Sequence, residues 1–197
     1  AEVGDKCVAF ATFMKADPPL LDQVPNAKLI ANFGVGYDAI DIEDANRRGV
    51  KVTNTPDVLN DCVADLALGL LISARRHIVD ADRFVRAGQW PVKKQYPFVN
   101  KVHHSKVGIV GLGRIGEEIA ARCAGFKMEI SYHNRSMKPD VPYRYYPDLV
   151  EMARDVEIMV VITPGGAATN NLVNEAVLEA LGPDGLLVNV ARGSVVD

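Results

Sequence analysis

Cysteine is scarce and scattered in this chain. Cys7, Cys62 and Cys123 stand far apart, with no CxxC pair and no ligand spacing for a metal. That usage fits reduced thiols in a cytosolic protein and excludes a disulfide scaffold; no metal site is expected. Basic blocks are missing as well. Lys and Arg number 22 against 25 Asp and Glu, and a net charge of −3 argues against nucleic-acid binding as the main role. Long apolar runs are absent too: the longest, such as VEIMVVITP, carry charge or end at proline well short of a membrane span. There is no visible signal peptide, internal repeat or low-complexity tract, and the chain opens AEVGDK without a Met, which leaves processing or truncation at the front open. At 197 residues and 48% hydrophobic, the chain can bury a sizeable core as one large domain or two small ones.

Two textures follow one another along the chain. CVAFATF (7–13), KLIANF (28–33) and KVTN (51–54) read as short strands, and DIEDANRRG (41–49) as a helix capped by Asp41 and stopped by Gly49. This rhythm predicts a small parallel α/β unit. Residues 58–88 then read as helical almost throughout, with apolar residues at three- and four-residue intervals, and VADLALGLLI (63–72) as buried on most sides. Gly88 and Pro91 are expected to end that region. Beyond it, KVGIV (106–110), MEISYH (128–133), VEIMVVIT (156–163) and LLVNVA (186–191) alternate with the helical segments RIGEEIAARCAGF, DLVEMARD and EAVLEALG. Alternation at this spacing predicts a doubly wound parallel sheet. The domain boundary is expected near residue 58, giving domains 1–58 and 59–197.

Gly111, Gly113 and Gly116 form G-x-G-x-x-G between an apolar strand and an amphipathic helix. The first glycine permits the tight turn, the second lets a pyrophosphate approach the backbone, and the third lets helix and strand pack. The alternative is a purely structural turn. An NAD site of this kind ordinarily has a carboxylate at the tip of the next strand, on the ribose 2′-hydroxyl. Here Glu129 lies at the start of that strand, and the tip reads His133-Asn134-Arg135-Ser136. Arg135 can fork onto a 2′-phosphate and Ser136 can donate to it, and one charge-assisted bond is worth about 1.5–3 kcal/mol. The expected cofactor is therefore NADP(H), with NAD(H) weaker; the bland alternative makes Arg135 a solvated surface charge.

Read together, NFGVGYDAIDI, VTNTPDVLNDCVADLALGLL, VGIVGLGRIGEEIA, ITPGGAATNNLVN and LVNVARGSVVD resemble the D-isomer-specific 2-hydroxyacid dehydrogenases over essentially the whole chain. HNRS and the Gly-Gly after Pro164 look most like the NADP-preferring glyoxylate/hydroxypyruvate reductase branch. The resemblance implies a Rossmann cofactor domain beside a smaller flavodoxin-like substrate domain, both incomplete here. It implies an oxidoreductase that passes hydride from nicotinamide to the carbonyl of a 2-oxo acid. Arg192 matches the family arginine that holds the substrate carboxylate and polarises the carbonyl. Its place after an apolar parallel strand, where open α/β sheets take ligands, agrees with that role, although such an arginine can equally be a surface charge or loop anchor. Val35 and Gly36 in GVGYD match the substrate loop, whose N–H groups can cup a carboxylate; an ordinary tight turn is the alternative. Matching positions imply that Leu112, Gly113, Arg114 and Ile115 line the pyrophosphate. Thr163 and Pro164 fall near the adenosine, and Val190 and Ala191 near the nicotinamide ribose.

The family's catalytic histidine and its glutamate lie beyond the arginine segment, so the sequence, ending at Asp197, reads as partial. His77, His103, His104 and His133 are not placed to protonate a carbonyl beside the nicotinamide. Residues 59–100 match the interdomain helix and dimer arm, which implies a homodimer. In one reading the loop with Tyr96 and Phe98 reaches the neighbouring subunit's active site; in the other it packs the dimer seam. A nucleotide-sensing regulator or corepressor on the same fold is the second functional reading. Glyoxylate, hydroxypyruvate and bulkier aryl-pyruvates all stay open as substrates.

Overall fold

The computed structural model describes residues 4–197, and the chain divides after Leu59 into two compact units. In the first, β1 (Ala9–Thr12), β2 (Leu29–Asn32) and β3 (Lys51–Thr53) pair in parallel in that order. The helix α1 (Pro18–Asp22) follows β1, and α2 (Ile42–Arg47) follows β2. Asp41 caps α2 as the sequence suggests, its carboxylate accepting from the Asp44 N–H at 2.9 Å. The sequence did not suggest α1, because PPLLD is too short to show a period. Its start is nonetheless well specified: Pro18 stands at the first helical position and Asp17 accepts from the Leu20 N–H. Ala16, Leu21, Ile30, Ile40, Ala45 and Val50 form the core of this unit.

The second unit opens with α3 (Asn60–Arg75), α4 (Ile78–Arg86) and α5 (Gln89–Lys93). It continues with β4 (Lys106–Val110), α6 (Arg114–Gly125), β5 (Glu129–His133), β6 (Arg144–Tyr145), α7 (Leu149–Asp155), β7 (Ile158–Val161), α8 (Glu175–Leu181) and β8 (Leu186–Asn189). The five strands are all parallel, in the order β6-β5-β4-β7-β8. The chain therefore winds outward from β4 through β5 to β6, then returns to the other side of β4. Buried residues separate into two clusters by strand parity. Val107, Ile109, Ile130 and Ile158 pack with Leu68 and Leu71 of α3 and Ile119 of α6. Val110, Met159 and Val161 pack with Leu149 and Met152 of α7 and Val177 of α8. Each fully buried aliphatic of this kind contributes about 1.5–3 kcal/mol, which is what holds helices on both faces.

The stretch 58–88 is helical almost throughout, as expected, with one break at His77, which takes a left-handed conformation with φ 50°. Two expectations need correction. The segment 63–72 is buried on one face only. Ala64, Ala67, Leu68 and Leu71 are inside, whereas Leu66 is 57% and Leu70 44% exposed. Nor does Pro91 end the helical region. It lies in the first turn of α5, where its missing N–H costs nothing. Tyr96 packs edge-on against Phe84 with ring centroids 5.2 Å apart, while Phe98 is 96% exposed. Among the described residues no helix is long and apolar enough to cross a membrane.

Candidate functional site

The returning chain creates a switch point at the carboxyl ends of β4 and β7, where open α/β sheets take their ligands. The glycine turn stands there. Gly111 has φ 103°, and a β-carbon on it would lie 2.7 Å from the Ile162 carbonyl oxygen, so both backbone conformation and the neighbouring strand demand glycine. A β-carbon on Gly116 would come within 2.3 Å of the Gly111 carbonyl oxygen, which makes Gly116 the close contact between α6 and the turn. Gly113 differs. It caps α6 in an extended conformation, is exposed, and a β-carbon there would meet nothing within 4 Å. The protein's own packing does not require that glycine, which leaves the turn open to a ligand. The N–H groups of Arg114 and Ile115 open the first turn of α6, the positive end of its dipole.

The flanks of the turn are supplied by the neighbouring strands. On the β5 side, the Leu112 N–H donates to Asn134 Oδ1 at 2.7 Å, and the Gly111 N–H to the His133 carbonyl at 3.0 Å. These bonds hold the tip of β5 against the turn and leave Arg135 and Ser136 exposed immediately beyond it. On the β7 side Thr163 follows Ile162, and its buried Oγ1 has no hydrogen-bond partner among the described residues. An open glycine, a helix N-terminus, an exposed arginine and an orphaned hydroxyl fit a phosphorylated dinucleotide. Val190, whose N–H donates to the Val161 carbonyl, and Ala191 continue β8 at the same edge. Arg192 follows, exposed, with Nη1 donating to the Ala191 carbonyl at 3.0 Å and its own carbonyl accepting from Asn189 Nδ2. Gly111 to Gly116, Asn134 to Ser136, Thr163, Pro164 and Val190 to Arg192 thus share one edge of one sheet.

The loop with Val35 and Gly36 belongs to the first unit. Buried Asn32 donates through Nδ2 to the carbonyls of Gly34 and Gly36, each at 3.0 Å, and Asn54 donates to the Val35 carbonyl at 2.9 Å. A trans peptide places its N–H opposite its carbonyl. The bonds to the carbonyls of Gly34, Val35 and Gly36 therefore fix the peptide planes that carry the N–H groups of Val35, Gly36 and Tyr37. Asn32 and Asn54 were not singled out from the sequence, because nothing in their spacing signals a side chain reaching back to its own loop. Of the other titratable groups, burial pushes the Cys123 thiol up to about 12, which makes it a packing group of α6. Burial, and then the Asp155 carboxylate beside it, push the Tyr146 phenol up to about 12. His133 Nδ1 bonds the Tyr146 carbonyl at 2.9 Å and so serves the β5 edge.

The family model for the NAD-binding domain of D-isomer specific 2-hydroxyacid dehydrogenases matches residues 68–197. The chain belongs to that family. Glyoxylate/hydroxypyruvate reductase A of Arabidopsis thaliana is 43% identical to it over 182 residues, which are 92% of this chain and 58% of that protein. A glyoxylate reductase of Pyrococcus horikoshii is 40% identical over 191 residues, 93% of this chain and 57% of that one. A solved structure of an NADPH-dependent glyoxylate/hydroxypyruvate reductase of Sinorhizobium meliloti, in complex with NADP and malonate, superimposes with a TM-score of 0.95 at 44% identity. That match covers all of this chain and 62% of the other. The chain therefore spans less than two-thirds of these relatives. Each of these relatives carries the name of a glyoxylate or glyoxylate/hydroxypyruvate reductase.

Proposed function

We propose that this protein reduces a small 2-oxo acid of the glyoxylate or hydroxypyruvate type to its D-2-hydroxy acid, using NADPH in preference to NADH. The observation that carries the reading is the tip of β5. Asn134 joins it to the glycine turn at 2.7 Å, and the exposed residues beyond are Arg135 and Ser136 rather than a carboxylate. A guanidinium at that place pairs with a 2′-phosphate, whereas an acid would repel it. The names of the reductase relatives support the same reading. The corepressor alternative draws no support from them.

When bound, the nicotinamide supplies the hydride. The remaining tasks belong to the chain. Gly113 gives the pyrophosphate access to the N–H groups of Arg114 and Ile115, while Leu112, expected from the sequence to line it, is buried and has its N–H engaged by Asn134. Thr163 and Pro164 flank the adenosine half, and Val190 and Ala191 the nicotinamide ribose. Arg192 pairs with the substrate carboxylate and polarises the carbonyl as negative charge develops on its oxygen. In the first unit, the loop with Val35 and Gly36 is the candidate carboxylate-binding loop. No described histidine is assigned the proton: His77 starts α4, His103 and His104 precede β4, and His133 is engaged with Tyr146. Homodimerisation is part of the same proposal. The helix α4 buries none of its residues within the chain, and Val85, Trp90, Val92 and Phe98 are all more than half exposed.

The test is NADPH oxidation by the intact protein against a panel of 2-oxo acids, with Arg192→Ala beside it. Turnover of glyoxylate or hydroxypyruvate, lost in the variant through a fall of about two orders of magnitude in kcat/KM, is the expected outcome. Absence of turnover on every 2-oxo acid, or an unaffected variant, would reject the reading.

A further inference from the structure

The two residues proposed to meet the 2′-phosphate sit on a short loop that is fastened at both ends by tyrosine hydroxyls. Tyr132 of β5 and Tyr145 of β6 are register partners on adjacent strands, with ring centroids 5.3 Å apart. The Tyr145 hydroxyl donates to the carbonyl of Asn134 at 3.1 Å. The Tyr132 hydroxyl accepts from the Lys138 N–H at 2.8 Å and bonds the Lys138 carbonyl at 3.3 Å. Lys138 also pairs through Nζ with Glu117 in the first turn of α6. Arg135 and Ser136 lie between these anchors, and both are exposed. Tyr132 itself is fully buried, so its hydroxyl is the one polar end of a core side chain, directed at the loop closure.

We infer that Tyr132 and Tyr145 are positioning residues for cofactor choice, acting through the loop 134–138 rather than by touching the nucleotide. The inference rests on the proposed reading of Arg135 and Ser136 as 2′-phosphate contacts. A loop already held in its binding conformation need not be ordered when the phosphate arrives, so its ordering entropy does not subtract from NADP affinity. A nucleotide lacking the 2′-phosphate makes no use of Arg135 and gains nothing from the clamp. Alternatives within the loop are weaker candidates: Asn134 spends its carboxamide oxygen on Leu112, and Met137 is exposed.

The experiment is calorimetric titration of the chain with NADP⁺ and with NAD⁺, for the wild type and for Tyr132→Phe, Tyr145→Phe and Arg135→Ala. Each Tyr→Phe change keeps the ring and removes one hydroxyl, a loss worth about two- to twelvefold in a binding constant. The expected result is an NADP⁺ Kd raised by about that factor in each, with the NAD⁺ Kd held within about twofold. Tyr145 is only partly buried, so its variant stands as the second probe if removing the buried Tyr132 hydroxyl lowers the Tm sharply. Equal weakening for both nucleotides, or no weakening in either Tyr→Phe variant while Arg135→Ala abolishes the preference, would overturn the inference alone. A wild type that does not prefer NADP⁺, or an Arg135→Ala variant that keeps the preference, would overturn the underlying reading as well.

Discussion

Two alanine substitutions in the glycine turn separate what the fold demands from what a ligand demands. Gly116→Ala places a β-carbon 2.3 Å from the Gly111 carbonyl oxygen, a backbone atom that cannot swing aside. Alanine gains about 1 kcal/mol of helix propensity over glycine, but overpacking against rigid backbone costs about 3 kcal/mol or more. The net loss of about 2 kcal/mol corresponds to a fall in Tm of about 4–8 °C for a chain of this size. Gly113→Ala behaves otherwise. Its backbone, at φ −89° and ψ −161°, is extended and open to alanine, and the added methyl meets no atom within 4 Å. Weaker N-capping and a less disordered unfolded chain nearly cancel, so Tm should stay within about 3 °C. The methyl does occupy the space assigned to the pyrophosphate, and such a clash costs about 1–3 kcal/mol, or about 5- to 150-fold in Kd. Thermal melting and calorimetric titration with NADP⁺ read the two effects apart. An alanine at 113 that melts normally and binds within about twofold of wild type would refute the placement of the pyrophosphate.

Other consequences can be checked in the same way. The Tyr146 hydroxyl, which hydrogen-bonds Asp155, holds that carboxyl below its usual range. Because the folded value is lowered, this stabilisation is present above the unfolded value of 3.8 and disappears as pH falls through the lower folded one. Asp155→Asn should therefore reduce Tm at neutral pH by an amount that shrinks towards zero below pH 3.8; a pH-independent difference would contradict it. Alkylation of the native chain at neutral pH should label exposed Cys62 and spare Cys123, which reacts only after unfolding. Asn32→Ala removes two hydrogen bonds to the loop carbonyls, although that of Gly34 keeps the Thr55 N–H and Gly36 is exposed, and should cost about 0.5–1.5 kcal/mol of unfolding free energy per bond lost. In the intact protein it should also raise KM for the 2-oxo acid more than it lowers kcat; a KM unchanged on every substrate would separate this loop from carboxylate binding.

The parts of the fold legible in the sequence were those written in period and punctuation. KVGIV announces β4 because both its faces are buried, and Gly111, Gly113 and Gly116 follow it at a spacing that, between an apolar strand and an amphipathic helix, marks a strand-turn-helix. Asp41 and Gly49 bracket α2 by their capping chemistry. The rest depended on context that periodicity does not carry. The two-residue β6 exists because Arg144 and Tyr145 pair with Ser131 and Tyr132, a tertiary event with no local signature. The break at His77 interrupts a run whose apolar spacing continues on both sides. The face of α3 with Leu66 and Leu70 looked buried because leucine at that spacing is compatible with either environment. In the candidate site, Arg135 and Ser136 could be named from residue type and position, and Arg192 from the family resemblance. Their supports could not, since Asn134 reaching Leu112 and Tyr132 reaching Lys138 are side-chain bonds that appear only once the strands are assembled.

The most direct test of the account is the ratio of kcat/KM for NADPH to that for NADH with glyoxylate, measured on the intact protein and on Arg135→Ala. The charge-assisted bond predicts a wild-type ratio of about 10 to 100, falling towards 1 in the variant through a higher KM for NADPH. A wild type that favours NADH, or a ratio untouched by the loss of the guanidinium, would contradict it.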